Sequence, residues 1–372
     1  MKAIKFTSVV FFILLIAACS SEKKEKEALE KDDTSKVFII TLDGLRWQEL
    51  FSGADSLLVE NKEYVTNTKG LKEKFWRESA VERREVLFPF IWGEVAVMGQ
   101  IHGNRLQASK INLTNGMHFS YPGYSEILTG KADDKNIFSN DKIPNPNTTI
   151  LEIAEKSEAY KGKVAAFGSW DVFPSIINEE RSGLYVNAGF RKAKGDDLSD
   201  KEIFLNELQD ETPSPWGTVR LDVFTHHYAI ETLKKKHPKL VYISYGETDD
   251  FAHDGEYDSY LESANRTDNF IKKLWYFTQQ DAFYKGKTTF IVTTDHGRGT
   301  EPLATWKHHG NNVKDTDQVW VIAFGDKIES KGEITKEEQL YTNQIAASVT
   351  KLLDLEIATD SIGKPFSFIK EE

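Results

Sequence analysis

The first unbroken apolar pattern in the folded part of the chain begins at Val37. Val37-Phe-Ile-Ile-Thr-Leu42 shows no polar alternation and runs into Asp43-Gly44. A run apolar on both faces predicts a strand covered on both sides, as inside a parallel sheet. Residues 163–169, 240–245, 288–294 and 319–324 have the same character. Between them, residues 149–157, 219–236, 257–278 and 334–353 place apolar side chains at helical spacing. The alternation predicts a doubly wound α/β fold, a mostly parallel sheet sandwiched by helices. Residues 51–117 and 171–216 are longer than ordinary connections and irregular in pattern. In such folds long insertions build caps over the carboxyl ends of the strands. A single domain over residues 37–372 with two cap insertions is therefore expected, and no internal repeat is present.

The amino terminus reads as an address. Lys2 and Lys5 precede an apolar stretch, Val9 to Ala18, that is short for a bilayer span. It ends in Ile16-Ala17-Ala18-Cys19, which resembles the bacterial lipobox. Cys19 is the chain's only cysteine and stands where that motif places the lipid-modified residue. Residues 1–18 are read as a signal peptide and residues 19–36, rich in Lys, Glu and Asp, as a lipidated, solvated tether. This places the protein in the bacterial cell envelope, held to a membrane by lipid. A lone cysteine also excludes an internal disulfide framework and a thiolate metal site. The net charge of −11 over 372 residues, without a basic stripe, argues against a nucleic-acid partner.

The chemistry gathers at the ends of the predicted strands. The first strand ends at Asp43. The 240–245 strand is followed by Asp249, Asp250 and His253, and the 288–294 strand runs into Asp295-His296-Gly297. His308-His309-Gly310 precedes the last strand. The carboxyl edge of an open α/β sheet is where ligands bind, so these residues should converge on one crevice. Asp249 and His253 are spaced i,i+4 and share a helix face; Asp250 lacks that spacing. Carboxylates and imidazoles without sulfur suit Zn or Mn at a hydrolytic centre, and the number of ligands suffices for two divalent metal ions. The remaining histidines (His102, His118, His226, His227 and His237) read as surface or core residues, with His118 closest to the next motif.

That motif is Ser120-Tyr-Pro-Gly-Tyr-Ser-Glu-Ile-Leu-Thr-Gly130. Pro122 suits a first helical turn and Gly130 a helix end. Ser120 then stands at a helix amino terminus, where free N–H groups favour a phosphate or sulfate. Beside metal its hydroxyl would be a competent nucleophile; without metal it reads as a plain N-cap.

In this order the motifs resemble the alkaline phosphatase superfamily, most of all its nucleotide pyrophosphatase/phosphodiesterase branch and bacterial lipoproteins of the same kind. The resemblance runs from Val37 to about Leu353. It implies one metal held by Asp249, His253 and His309, and a second by Asp43, Asp295 and His296, with Ser120 bridging towards the second. It implies Asn140 as the contact to a phosphoryl oxygen. Ser120 stands where that branch has threonine, and Gly123 where it has asparagine. His308 competes with His309 as a ligand, and Arg298 stands where it could touch the substrate anion. The implied activity is two-metal phosphoester hydrolysis, of a mono- or diester, through a phosphoserine. A sulfatase is the alternative, although Tyr124 replaces the arginine of the sulfatase motif. A phosphotransferase on envelope glycans or lipids shares the same covalent chemistry.

Overall fold

The computed structural model describes residue 32, residues 34–356 and residues 363–370. The signal segment and Cys19 lie outside these described residues. The main sheet has eight strands in the order β10-β2-β9-β7-β1-β6-β4-β5. They are β1 (Lys36–Leu42), β2 (Gly99–His102), β4 (Val164–Gly168), β5 (Tyr185–Ala188), β6 (Leu240–Tyr245), β7 (Thr288–Thr293), β9 (Val321–Gly325) and β10 (Gly332–Glu333). A small sheet joins β3 (Ser109–Asn112), β8 (Gln318–Val319) and β11 (Glu338–Tyr341).

The apolar runs have the predicted cause. Phe38, Ile40 and Leu42 enter one core, while Val37 and Ile39 enter the other. Val241 and Ile243 likewise face the first core, and Leu240 and Tyr242 the second. The sheet is thus sealed on both faces, and the polar residues it admits are paired there, Thr41 with the Tyr242 hydroxyl and Ser244 with that of Tyr124.

Helices cover the two faces: α1 (Ser120–Thr129), α2 (Ile150–Lys156), α3 (Asp200–Glu211), α4 (Asp222–Lys236), α5 (Glu247–Asp254), α6 (Tyr257–Gln280) and α7 (Gln344–Leu353), with shorter helical turns in the 47–98 stretch. Two expectations are corrected. The 319–324 run is not one strand of a parallel sheet. It divides at Trp320, whose indole N–H donates to Leu45 O at 2.9 Å, and β9 runs antiparallel to both β7 and β2. The 334–353 helix begins only at Gln344, because Glu338–Tyr341 alternates in exposure and pairs with β3 as a strand. Residues 51–117 also carry β2 and β3, and Leu58, Leu71, Phe75 and Phe88 from this stretch lie in the first core. Residues 171–216 include the edge strand β5.

Candidate metal centre

Three neighbouring strands, β7, β1 and β6, end at one edge and deliver the acidic residues there. Asp43 follows β1, Asp295-His296 follow β7, and α5 carries Asp249 and His253 just beyond β6. His309 arrives on the loop between β7 and β8. All six predicted ligands meet in one place. Asp43, Asp295 and His296 offer ligand atoms within 4.8 Å of one another, and so do Asp249, His296 and His309.

The first group matches the set implied by the resemblance. In the second group His296 takes the place expected for His253, which adjoins it instead. His253 Nε2 lies 3.3 Å from Asp249 Oδ2 and 2.9 Å from His309 Nε2. His308 and Asp250 belong to neither group. Burial, with the negative charges of Asp249 and Asp43, pushes the Asp250 carboxyl up to about 9.

The chemistry of the donor set fits cations. Asp43 Oδ1, Asp295 Oδ2 and His309 Nδ1 are buried without a hydrogen-bond partner. Burial and then the neighbouring carboxylates push Asp43 and Asp295 well above the usual carboxylate range. Three like charges in one dry cluster cannot all ionise without a counter-charge. Burial would raise Asp249 too, but the charges of Arg298 and His253 outweigh it and hold that carboxyl well below its ordinary value. His296 Nδ1 lies 3.0 Å from Gly297 O; only an N–H can bond a carbonyl there, so Nε2 keeps its lone pair facing the carboxylates.

Ser120 enters the cluster on α1. Its Oγ is 3.4 Å from His296 Nε2, and all ten residues of the helix are buried. The N-cap is Phe119, in extended conformation and without a side-chain cap, so Ser120 is the first helical residue and not a cap. Gly130 closes the helix in the left-handed region at φ 76°. The expectation of several free amides at this helix start is corrected. The Tyr121 N–H donates to Asn140 Oδ1 at 3.0 Å, Pro122 has no N–H, and the Gly123 N–H bonds Phe119 O. What this arrangement leaves beside Ser120 is the Asn140 amide NH₂, which makes no hydrogen bond among the described residues.

Arg298 is also corrected. It is 1 % exposed and its guanidinium is spent inside the protein. Nε donates to Gly44 O at 3.1 Å, Nη1 to Lys307 O at 2.7 Å, and Nη2 to Asp249 O at 3.0 Å and to the Asp249 carboxylate. Four of its five N–H donors are used in this way, so it ties the Gly44 turn, the Lys307 segment and α5 to the Asp295-His296 loop. His118 accepts the Gly310 N–H on its carbonyl at 2.8 Å and so ties the Ser120 loop to the His309 loop. His102 pairs with Glu338, and His226 is buried against Phe270.

Two supporting residues escaped the sequence reading. The Tyr124 hydroxyl donates to Asp43 Oδ2 at 2.7 Å and accepts from Ser244 Oγ at 3.1 Å. The Thr248 hydroxyl donates to Asp43 O at 2.5 Å. Tyr124 was detectable in principle, since it lies one helical turn after Ser120 on the same face. Thr248 carries no such signal.

The sequence model of the Metalloenzyme superfamily matches residues 201–357, the part that holds five of the six candidate ligands. Human GPI ethanolamine phosphate transferase 1 is 24 % identical over 268 residues, 66 % of this chain. The chain spans 27 % of that protein's length. The alkaline phosphatase PafA superposes with a TM-score of 0.59 at 10 % identity, over 90 % of this chain and 99 % of that one. Murine ectonucleotide pyrophosphatase/phosphodiesterase 5, in complex with AMP, gives a TM-score of 0.53 at 13 % identity, over 90 % and 98 % of the two chains. The molecule thus has an α/β fold, its 201–357 segment matches the Metalloenzyme superfamily, and its site gathers residues able to hold divalent cations. Its fold is that of the alkaline phosphatase superfamily, and the resemblance read from the motifs is borne out.

Proposed function

We propose that the protein is a two-metal phosphoester hydrolase that works through a covalent phosphoserine on Ser120. The observation that carries this reading is the junction of Ser120 with both ligand groups at His296. Asp43, Asp295 and His296 would hold one divalent ion; Asp249, His309 and the adjoining His253 would hold the other. Zn is the metal the donor set suits best, with Mn as the alternative. Bound ions at these positions would neutralise phosphoryl oxygens and lower the pKa of a nearby hydroxyl.

The remaining work belongs to the chain. Ser120 Oγ, held by a wholly buried helix, forms the bond to phosphorus as the ester oxygen departs. The Asn140 NH₂ donates to a phosphoryl oxygen. Water then cleaves the phosphoserine and returns Ser120. Phosphoryl transfer asks chiefly for positioning and charge neutralisation, which this cluster offers. An alcohol in place of that water gives the second reading, an envelope phosphotransferase, favoured by the likeness to a protein named as a phosphate transferase. The lipobox-like run ending at Cys19 fits a lipid-anchored enzyme of the cell envelope.

The test is Ser120→Ala, assayed on phosphate monoesters, phosphate diesters and sulfate esters with added Zn or Mn. The variant should keep its metal while turnover falls by several powers of ten. Acid quench of the wild type should trap phosphate on Ser120. Near-normal rates in the variant, or phosphate on Ser125 or Thr129, would overturn the assignment.

A further inference from the structure

Outside the metal cluster, α3, α4 and α6 enclose an open cavity of about 560 Å³. Its walls are apolar: Phe204, Leu208, Phe224, Ile230 and Phe277. Phe204 is 59 % exposed and Leu208 38 %, on the solvent side of α3. Leaving such side chains in water forgoes hydrophobic free energy that a molecule covering them would gain. The size and lining are those of small-ligand sites in general.

The rim is cationic although the chain as a whole carries a charge of −11. Lys201, Lys234 and Lys273 border the cavity with one acid, Glu231. Glu231 Oε1 lies 2.7 Å from Lys234 Nζ and 4.0 Å from Lys201 Nζ, so one carboxylate answers two lysines. Lys273 has no carboxylate partner among the described residues; its ammonium lies 5.7 Å from the Phe270 ring centroid. An apolar trough with surplus positive charge at its lip is complementary to a molecule that is apolar along its length and anionic at one end.

None of the six candidate metal ligands, nor Ser120, lines this cavity, and its cationic rim lies at the end away from them. Lys234 is in the last turn of α4, which feeds the start of β6, and Lys273 and Phe277 are near the end of α6, which feeds the start of β7. The metal-ligand residues follow the opposite ends of those same strands.

We propose that this cavity binds one single-chain anionic amphiphile, a long-chain fatty acid in chemical class. The alkyl chain lies against Phe204, Leu208 and Phe277, and the carboxylate sits by Lys273 and Lys234. The probe is dodecanoate below its micellar concentration, titrated calorimetrically into the full chain. Dodecyltrimethylammonium reverses the head-group charge, and anionic phospholipid vesicles present the same chemistry as a surface. Dodecanoate should bind saturably at one per chain. Lys273→Glu should weaken it by roughly tenfold. Phe204→Asp, at an exposed position that leaves the fold intact, should abolish it. Both variants should keep the wild-type ester hydrolysis rate. The proposal fails if dodecanoate does not saturate, or if the cationic amphiphile binds equally well. It also fails if only vesicles bind, or if Phe204→Asp converts a dimer to a monomer without changing dodecanoate binding.

Discussion

At the scale of single residues, the most consequential side chain is Arg298, which is buried and joins the Gly44 turn, the Lys307 segment and α5. Its guanidinium joins Gly44 O, Lys307 O and Asp249. Arg298→Met would leave those carbonyls unpaired in a dry site and remove the charge that keeps Asp249 ionised. Breaking one side of a buried pair costs about 3–5 kcal/mol, less what local relaxation recovers. The expected outcome is a lower unfolding midpoint even in chelator, together with metal content below the wild-type value. Wild-type metal affinity with reduced turnover would instead return Arg298 to the substrate. Arg298→Lys should rescue poorly, because an ammonium cannot reach three acceptors in a planar fork. Five of the six ligand-type residues could be read from the sequence because each stands at a strand end or at helical spacing, whereas His309, on a long loop, is told from His308 only by the resemblance. Arg298 could not, because its neighbours in space come from positions 44, 249 and 307, and nothing local announces them.

Among elements, α1 places the nucleophile against the ligand loop, and α6 anchors the 90–91 segment. Gly123 sits on α1 where a Cβ would come 2.2 Å from the backbone oxygen of Asp295. That contact accounts for glycine where the resembling branch has asparagine: the nucleophile helix lies directly on the metal-ligand loop. Gly123→Ala should push the two apart. Turnover is expected to fall by more than a hundredfold, since misplacement by about 1 Å at a catalytic group has that effect. Unchanged kinetics would mean that α1 can shift freely.

On α6, Asp268 accepts the Phe90 and Ile91 N–H groups at 2.8 and 2.9 Å. Burial raises its carboxyl from 3.8 to about 7. The native state therefore keeps a proton that the unfolded chain releases near its ordinary pKa. Stability should decline as pH rises from about 4 to about 7 and then level off. Urea unfolding across pH 5–8 should show this slope in the wild type and a flatter one in Asp268→Asn; equal slopes would exclude Asp268 as its source.

For the whole molecule, metal and folding are coupled through the buried carboxylates. Without cations, Asp43 and Asp295 titrate well above the usual range, first because they are buried and then because they face other carboxylates. A raised carboxyl pKa makes the metal-free fold lose stability as pH climbs above the ordinary carboxylate value. Bound cations remove that penalty, so the stabilisation by metal should grow with pH. Dialysis against a chelator should lower the thermal midpoint more at pH 8 than at pH 6, abolish turnover, and be reversed by Zn or Mn. Elemental analysis should find close to two ions per chain. A midpoint indifferent to chelation would sink the two-metal reading.

The central strands were legible in the sequence, because a segment sealed on both faces carries mostly apolar residues. Val37–Leu42 and 240–245 announced themselves for that reason, and Asp43, Asp249 and Asp295 were found by standing at their ends. Tertiary structure alone decided what depends on distant partners. The antiparallel pairing of β9 with β7 and β2 is set by partners far away in the sequence, and the strand at Glu338–Tyr341 pairs with β3. The same holds for the meeting of both ligand groups at His296, and for Tyr124 bridging the nucleophile helix to Asp43. Periodicity records whether a residue is buried; it does not record which of the buried residues it will meet.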